Sequence, residues 1–207
     1  MDIFFDFAEV SEAQRYKLLT GLVIPRPIAF VSTQSKTGAL NAAPFSFFNV
    51  FSETPPLLMI GIEGKDAAID GLKDTARNIA DTEEFVVNLV DEALMEAMNI
   101  AAIDMPVDCD ELAEARLTAC SSRHIAAPGI EEAPARLECR HWQTIPVGSA
   151  GRRLILGEVL GISVREGVVD PQTHRTDIVQ LGAIGRLHGG GNYLRLTDRL
   201  LMSRLEP

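Results

Sequence analysis

Hydrophobic and polar positions change period several times along the chain, and each change marks a new element. Ser11 and Gln14 stand at capping-box spacing and Gly21 supplies a stop, which predicts a helix from Ser11 to Thr20. The run from Leu22 to Thr33 is rich in β-branched and aromatic residues and reads as a strand, with Pro25 and Pro27 confined to its beginning or to an edge. Lys36-Thr37-Gly38 is a turn signal, so Leu40 onward is expected to return as the antiparallel partner. Pro55-Pro56 breaks the chain before a short, very apolar strand, Leu57–Ile62.

Beyond Lys65 the texture alternates. Asp74 to Ala80 reads as a short helix and Glu84 to Val90 as a strand. Asp91 to Ile103 has Leu94, Met95, Met98 and Ala102 at helical spacing, a second helical patch surrounds Cys109–Leu117, and a loop follows at Pro128-Gly129. Ala135–Ile145 and Arg153–Arg165 read as strands around a turn at residues 148–151, and Gly157 and Gly161 suit a strongly coiled barrel strand. The Gly-rich tail, Ile178–Leu196, ends in a strand at Asn192–Leu196. Helices fall between groups of strands without alternating with them one for one. That disfavours a doubly wound parallel sheet and predicts a mainly β, antiparallel barrel with helical insertions, one domain over residues 1–207.

Composition narrows the function classes. At 46% hydrophobic and 23% charged, the 207 residues can bury a sizeable core, which excludes disorder as a whole. A net charge of −10 argues against a nucleic-acid partner. Cys109, Cys120 and Cys139 are odd in number and form no C-x-x-C pair, so buried reduced thiols and the cytoplasm are expected rather than a disulfide framework or a zinc ribbon. The apolar start carries acids where a signal peptide needs cations, and the longest uncharged stretch, Thr37 to Ser52, is too short and too polar to span a bilayer. No membrane partner is expected.

Several catalytic engines are missing. The chain has no G-x-x-x-x-G-K-[ST], no H-E-x-x-H and no G-x-S-x-G, and the glycines at 182, 185, 189, 190 and 191 do not form G-x-G-x-x-G. His124, His141, His174 and His188 are scattered without metal-ligand spacing, so no metal is expected. What stands out is polar residues embedded in apolar text: Ser32 and Thr33 at the end of a strand, then Asn41, Ser46 and Asn49 among Ala, Pro and Phe. Buried amides and hydroxyls need partners, which the backbone commonly supplies. Taken jointly with Phe45, Phe47 and Phe48, they suit the lip of a flat aromatic-ligand site. Lys73, Thr75 and Asn78 at a helix start fit a phosphate, although an ordinary helix cap with a solvated Lys73 is an equal reading of those residues alone.

These residues resemble a known family. Arg26-Pro27-Ile28-Ala29-Phe30-Val31-Ser32-Thr33, Asn41-x-Ala43-Pro44-Phe45-Ser46-x-Phe48-Asn49, Ser52-x-x-Pro55-Pro56, Lys73-Asp74-Thr75-x-x-Asn78-Ile79 and Glu84-Phe85-Val86-Val87-Asn88 are similar, in order and spacing, to the flavin reductase-like, FMN-binding split-barrel family. The resemblance implies a homodimer with FMN in a groove near the subunit interface. Ser32 and Thr33 would approach the ribityl-phosphate, and Asn41 with the Ala43–Phe47 backbone, Ser46 included, would face the isoalloxazine. Asn49 would reach the flavin or its chain, and Lys73, Thr75 and Asn78 would hold the phosphate. It also implies an NAD(P)H:flavin oxidoreductase that passes hydride from the reduced nicotinamide to the flavin, with a monooxygenase or electron-transfer protein as partner and no catalytic acid or base. The alternatives are a flavoredoxin-like electron carrier and a non-redox flavin-binding protein. The Gly-Asp-His stretch of some of these reductases is missing. Arg186–Tyr193 lies in that part of the chain, with His188 expected at a pocket rim and not essential.

Overall fold

The computed structural model describes residues 1–65, 71–103, 109–148 and 151–203. Helix α1 spans Glu12–Leu22, with Ser11 as N-cap and the Ser11–Gln14 capping box formed in both directions. Strands β1 (Ala29–Gln34) and β2 (Leu40–Phe45) form a hairpin in which Thr33 stands opposite Asn41 and Gln34 opposite Leu40. Gly38 has φ +93° in their turn, a conformation that residues with a Cβ rarely adopt. Strands β3 (Phe48–Glu53) and β4 (Pro56–Ile62) form the next hairpin, followed by α2 (Asp74–Thr82) and β5 (Glu84–Asn88). Two short helices, α3 (Met95–Ile100) and α4 (Glu111–Glu114), and a two-residue ladder between β6 (Ala119–Cys120) and β7 (Gly129–Ile130) precede the long β8–β9 hairpin (Ala135–Val147, Arg152–Val164). The tail holds α5 (Ile178–Leu181), β10 (Ile184–Arg186) and β11 (Tyr193–Arg195).

Seven strands make one sheet in the order β2-β1-β5-β8-β9-β4-β3, every neighbouring pair antiparallel. Its two edge strands, β2 and β3, are consecutive in the chain and joined only by Ser46 and Phe47. Laid flat, six neighbour steps of about 4.8 Å would part those edges by roughly 29 Å, whereas three backbone steps reach only about 11 Å. The sheet therefore curls until its β2 and β3 edges come together, and Gly61 N–H of β4 donates to Phe47 C=O at 2.7 Å, carrying the β3–β4 ladder into the linker. The expected antiparallel barrel is what forms. Its interior holds Val31, Leu58, Ile60, Ile79, Phe85 and Ile155, all essentially inaccessible. Gly157 makes this filling possible, because a Cβ there would sit 2.3 Å from Phe85 Cζ. A second core, with Phe30, Leu94, Met98, Leu112 and Ile130, lies on the outer face of β1. β1 is thus buried on both faces.

Four expectations change in detail. The apolar run from Leu22 becomes the end of α1 and an irregular connector, and only Ala29–Gln34 is strand: Pro25 and Pro27 have no N–H for a ladder. The helix expected over Asp91–Ile103 shortens to Met95–Ile100, because Asp91 turns back to accept from Leu94 N–H at 3.0 Å. The patch at Cys109–Leu117 is one turn, Glu111–Glu114, capped by Asp110. Of the three free thiols only Cys139 is buried, and Cys109 and Cys120 are half-buried. Residues 149 and 150 of the turn expected at 148–151 lie outside the described residues. Among the described residues no helix is long and apolar enough to cross a membrane.

Candidate functional site

Helix α2 begins at Asp74, with Lys73 at the N-cap in extended conformation and no side-chain cap on the helix. The first-turn N–H groups have no intrahelical acceptors and carry the positive end of the helix dipole. Asp74 is held by Arg77 one turn on, with Lys65 4.0 Å away. Lys73 is half-buried and forms no ion pair among the described residues.

Behind this helix start lies a hydrogen-bonded network drawn from four elements, β1, β2, α2 and α4. Asn78 Nδ2 donates to Thr33 Oγ1 at 3.0 Å, and Thr33 Oγ1 donates to Asn41 Oδ1 at 3.2 Å. Thr75 Oγ1 donates to the same Asn41 oxygen at 2.8 Å. The Asn41 amide nitrogen points the other way and donates to Glu111 Oε2 at 2.6 Å, an oxygen that also accepts from Ala42 N–H at 2.8 Å. Thr33, Asn41, Thr75 and Asn78 are all buried, and no buried side-chain polar atom is left without a partner among the described residues. Thr33, Thr75 and Asn78, expected at the phosphate, are brought together, and they are joined by Asn41, which the resemblance places at the isoalloxazine.

Asn41, Ala43, Lys65, Lys73, Thr75 and Glu111 line a cavity of about 80 Å³. That is far smaller than the roughly 300–1,000 Å³ of a pocket that encloses a whole small molecule, so the space takes a headgroup only. The backbone leading from it, Ala43 to Phe45, continues through Ser46 and Phe47 into a groove of about 580 Å³. Phe47, Phe48, Met59 and Leu154 make its apolar floor, and Asn49, Arg26 and Arg153 stand at its polar positions. Arg26 is buried: it donates to Thr20 C=O at 2.6 Å, to Leu187 C=O at 2.7 Å and to Ser46 Oγ at 3.3 Å, tying the end of α1 and the tail to the β2–β3 seam. Burial lowers the pKa of its guanidinium from the ordinary arginine value, and the positive charge of Arg186 acts in the same direction. Asn49 is exposed and its side-chain oxygen accepts from Val50 N–H at 2.8 Å.

Ser32 is separated from this assembly. Its hydroxyl donates to Pro128 C=O at 2.6 Å and accepts from Asn88 Nδ2 at 3.0 Å, on the opposite face of β1 from Thr33. Successive strand residues point to opposite faces, so Ser32 and Thr33 cannot share one cavity through their side chains. His188 is exposed and lines a third, open cavity of about 820 Å³ with Tyr16, Lys17 and Arg152, distinct from the groove beside Phe47. No cluster of metal-binding side chains occurs among the described residues. Sequence reasoning missed Glu111, which lies 70 positions from Asn41 with no motif around it. It also missed the clamping role of Arg26, although Arg26-Pro27 opened the first motif.

Three solved structures align over nearly the whole chain. Nitrilotriacetate monooxygenase component B from Bacillus cereus is 35% identical with a TM-score of 0.91, over 98% of this chain and 99% of that one. The 2-nitrobenzoate 2-nitroreductase NbaA of Pseudomonas fluorescens is 34% identical with a TM-score of 0.89, over 98% and 96%. A split-barrel-domain structure from Shewanella frigidimarina is 17% identical with a TM-score of 0.84 over 99% and 100%, a likeness of fold. The family model of the flavin reductase like domain matches residues 21–181, which spans β1 to α5 and so takes in the network, the cavity and the groove. The chain belongs to the flavin reductase-like family and has its split-barrel fold.

Proposed function

We propose that the protein is an FMN-dependent NAD(P)H:flavin oxidoreductase whose flavin lies along the β2–β3 seam. The observation that carries this reading is the pairing of a headgroup-sized cavity at the start of α2, where Lys73 and Lys65 stand beside Asp74 and Glu111, with a large apolar groove, joined by the Ala43–Phe47 backbone. A phosphate dianion needs a cation and N–H donors, and the α2 terminus with Lys73 and Lys65 supplies them. The donor set fits FMN. Thr75 and Thr33 direct their hydroxyl protons to Asn41, and Asn78 faces Thr33, so these residues shape the seat while Lys73 and the helix N–H groups would hold the phosphate. Asn41 and the Ala43–Phe47 backbone would hold the ribityl chain and ring edge, with Ser46, Phe47 and Asn49 at the groove end.

When bound, FMN supplies the redox chemistry, taking a hydride from a reduced nicotinamide and passing electrons onward. The protein's contribution is binding, orientation and exclusion of water. The apolar floor of Phe47, Phe48 and Met59 desolvates a flat ring, and the nearby arginines attract an anionic dinucleotide to the groove. No side chain is required to move a proton in that step.

Two further parts of the reading concern assembly. Phe47, Val50 and Phe51 are 42%, 70% and 60% exposed on the edge strand β3 and its approach, an apolar surface that a second copy would cover to give a homodimer. The reduced flavin, or its electrons, would then pass to a separate monooxygenase or electron-transfer protein in the cytoplasm. That B. cereus component B carries the name of one part of a monooxygenase supports such a partner.

Purified protein, assayed for oxidation of NADH and NADPH with and without added FMN, tests the reading. FMN-dependent turnover is the expected result. Flavin bound but reducible only by light or by another protein would favour an electron carrier, and no flavin bound at all would overturn both.

A further inference from the structure

We propose that Glu111 is a positioning residue of the flavin seat, an inference that rests on the FMN reading above. β2 is an edge strand of the sheet, so the outward N–H of Ala42 has no neighbouring strand to accept it. Glu111 fills that role, and the same oxygen, Oε2, accepts from Asn41 Nδ2. One carboxylate oxygen therefore fixes both the backbone edge and the side-chain amide at the point where β2 enters the cavity.

The polarity of the network follows from this contact. An amide side chain can turn end for end, and the two threonine hydroxyls can either donate to it or accept from it. With a carboxylate on one side, only the NH₂ end of Asn41 can face Glu111, which leaves Oδ1 for Thr33 and Thr75. Glu111 itself is presented on a firm support: Asp110 caps the turn by accepting from Ala113 N–H at 3.0 Å, and Leu112 and Ala115 are buried in the second core. The stretch between β5 and β8, which carries no motif, thus delivers the residue that orders the seat. Glu111 lines the headgroup cavity, and through Asn41 and Ala42 it fixes β2, whose backbone runs on into the groove that would take ribityl chain and ring. Because β2 leads to both parts of the site, removal of Glu111 should weaken FMN and riboflavin alike, unlike a change at Lys73.

The test titrates FMN and riboflavin into apoprotein of the wild type, Glu111→Ala and Glu111→Gln, with the visible circular dichroism of the bound flavin as a second readout. Glu111→Ala should lose about tenfold in affinity for both flavins, as expected for two lost hydrogen bonds, with an altered dichroism band. Glu111→Gln keeps an accepting oxygen and should stay within about twofold of the wild type. Should Glu111→Ala fail to fold, Asn41→Asp carries the test: facing Glu111 it should weaken both flavins about tenfold, and the double variant Asn41→Asp/Glu111→Gln should recover most of that loss. Unchanged affinity in Glu111→Ala, a loss confined to FMN, a loss in Glu111→Gln as large as in Glu111→Ala, or no recovery in the double variant would overturn the proposal. If the wild type itself binds neither flavin, the FMN reading fails instead.

Discussion

The cavity at the start of α2 and the groove beside Phe47 are built on opposite principles. The cavity is small and held by side-chain hydrogen bonds that converge from β1, β2, α2 and α4, with every buried side-chain polar atom among the described residues paired. The groove is seven times larger by volume (about 580 against 80 Å³), floored by apolar side chains, and its most prominent residue, Phe47, is 42% exposed. A charged headgroup is recognised by fixed donors and loses affinity when any of them moves, whereas a flat ring system is recognised by area and tolerates adjustment. The difference means that mutations at the two ends of the site should fail in different ways.

The largest effect should come from Asn41→Leu. Two buried hydroxyls and a carboxylate would lose their partner at once, so stability should fall by roughly 2–4 kcal/mol, and both FMN and riboflavin binding should be lost. Urea unfolding alongside flavin titration checks this, and a variant as stable as the wild type would show that the network is dispensable.

Lys73→Ala should affect binding more selectively. Loss of a charge-assisted contact of about 1.5–3 kcal/mol weakens FMN by roughly ten- to a hundredfold. Riboflavin, which has no phosphate, should be nearly unaffected. Raised salt should weaken FMN binding more in the wild type than in the variant. Equal losses for both flavins would remove Lys73 from the phosphate end.

Thr75 separates shaping from direct contact. Thr75→Val keeps the volume and deletes one hydrogen bond to Asn41, so it should lower stability by about 1 kcal/mol and weaken FMN less than Lys73→Ala does. Thr75→Ser should restore both. An FMN loss as large as that of Lys73→Ala would mean that the hydroxyl donates to the phosphate after all.

At the groove end, Phe47→Ala should leave stability almost unchanged because the ring is already part exposed, while KM for the reduced nicotinamide rises about tenfold through lost apolar contact. Smallest of all should be His188→Ala, with turnover within about twofold of the wild type, since hydride transfer calls for no proton relay. Steady-state kinetics with flavin occupancy measured in parallel distinguishes these outcomes, and loss of most turnover in His188→Ala with flavin still bound would give that residue a role in nicotinamide positioning.

Much of the barrel could be read from the chain. The Ser11–Gln14 capping box, the β1–β2 turn at Gly38 and the break before β4 are local signals, each decided by a few neighbouring residues. The grouping of Thr33, Thr75 and Asn78 was also legible from the family pattern, which put Asn41 at the ring and not in their network. Side-chain direction was not. β1 is buried on both faces, so hydropathy gives no sign of which residues point into the barrel and which toward the outer core, and Ser32 and Thr33 could not be told apart. Only the packing of α2 on one face and of the loop at Pro128 on the other decided that. Glu111 is the extreme case: its meaning comes wholly from a contact with an edge strand 70 residues earlier in the chain, and no local pattern encodes a partner at that distance.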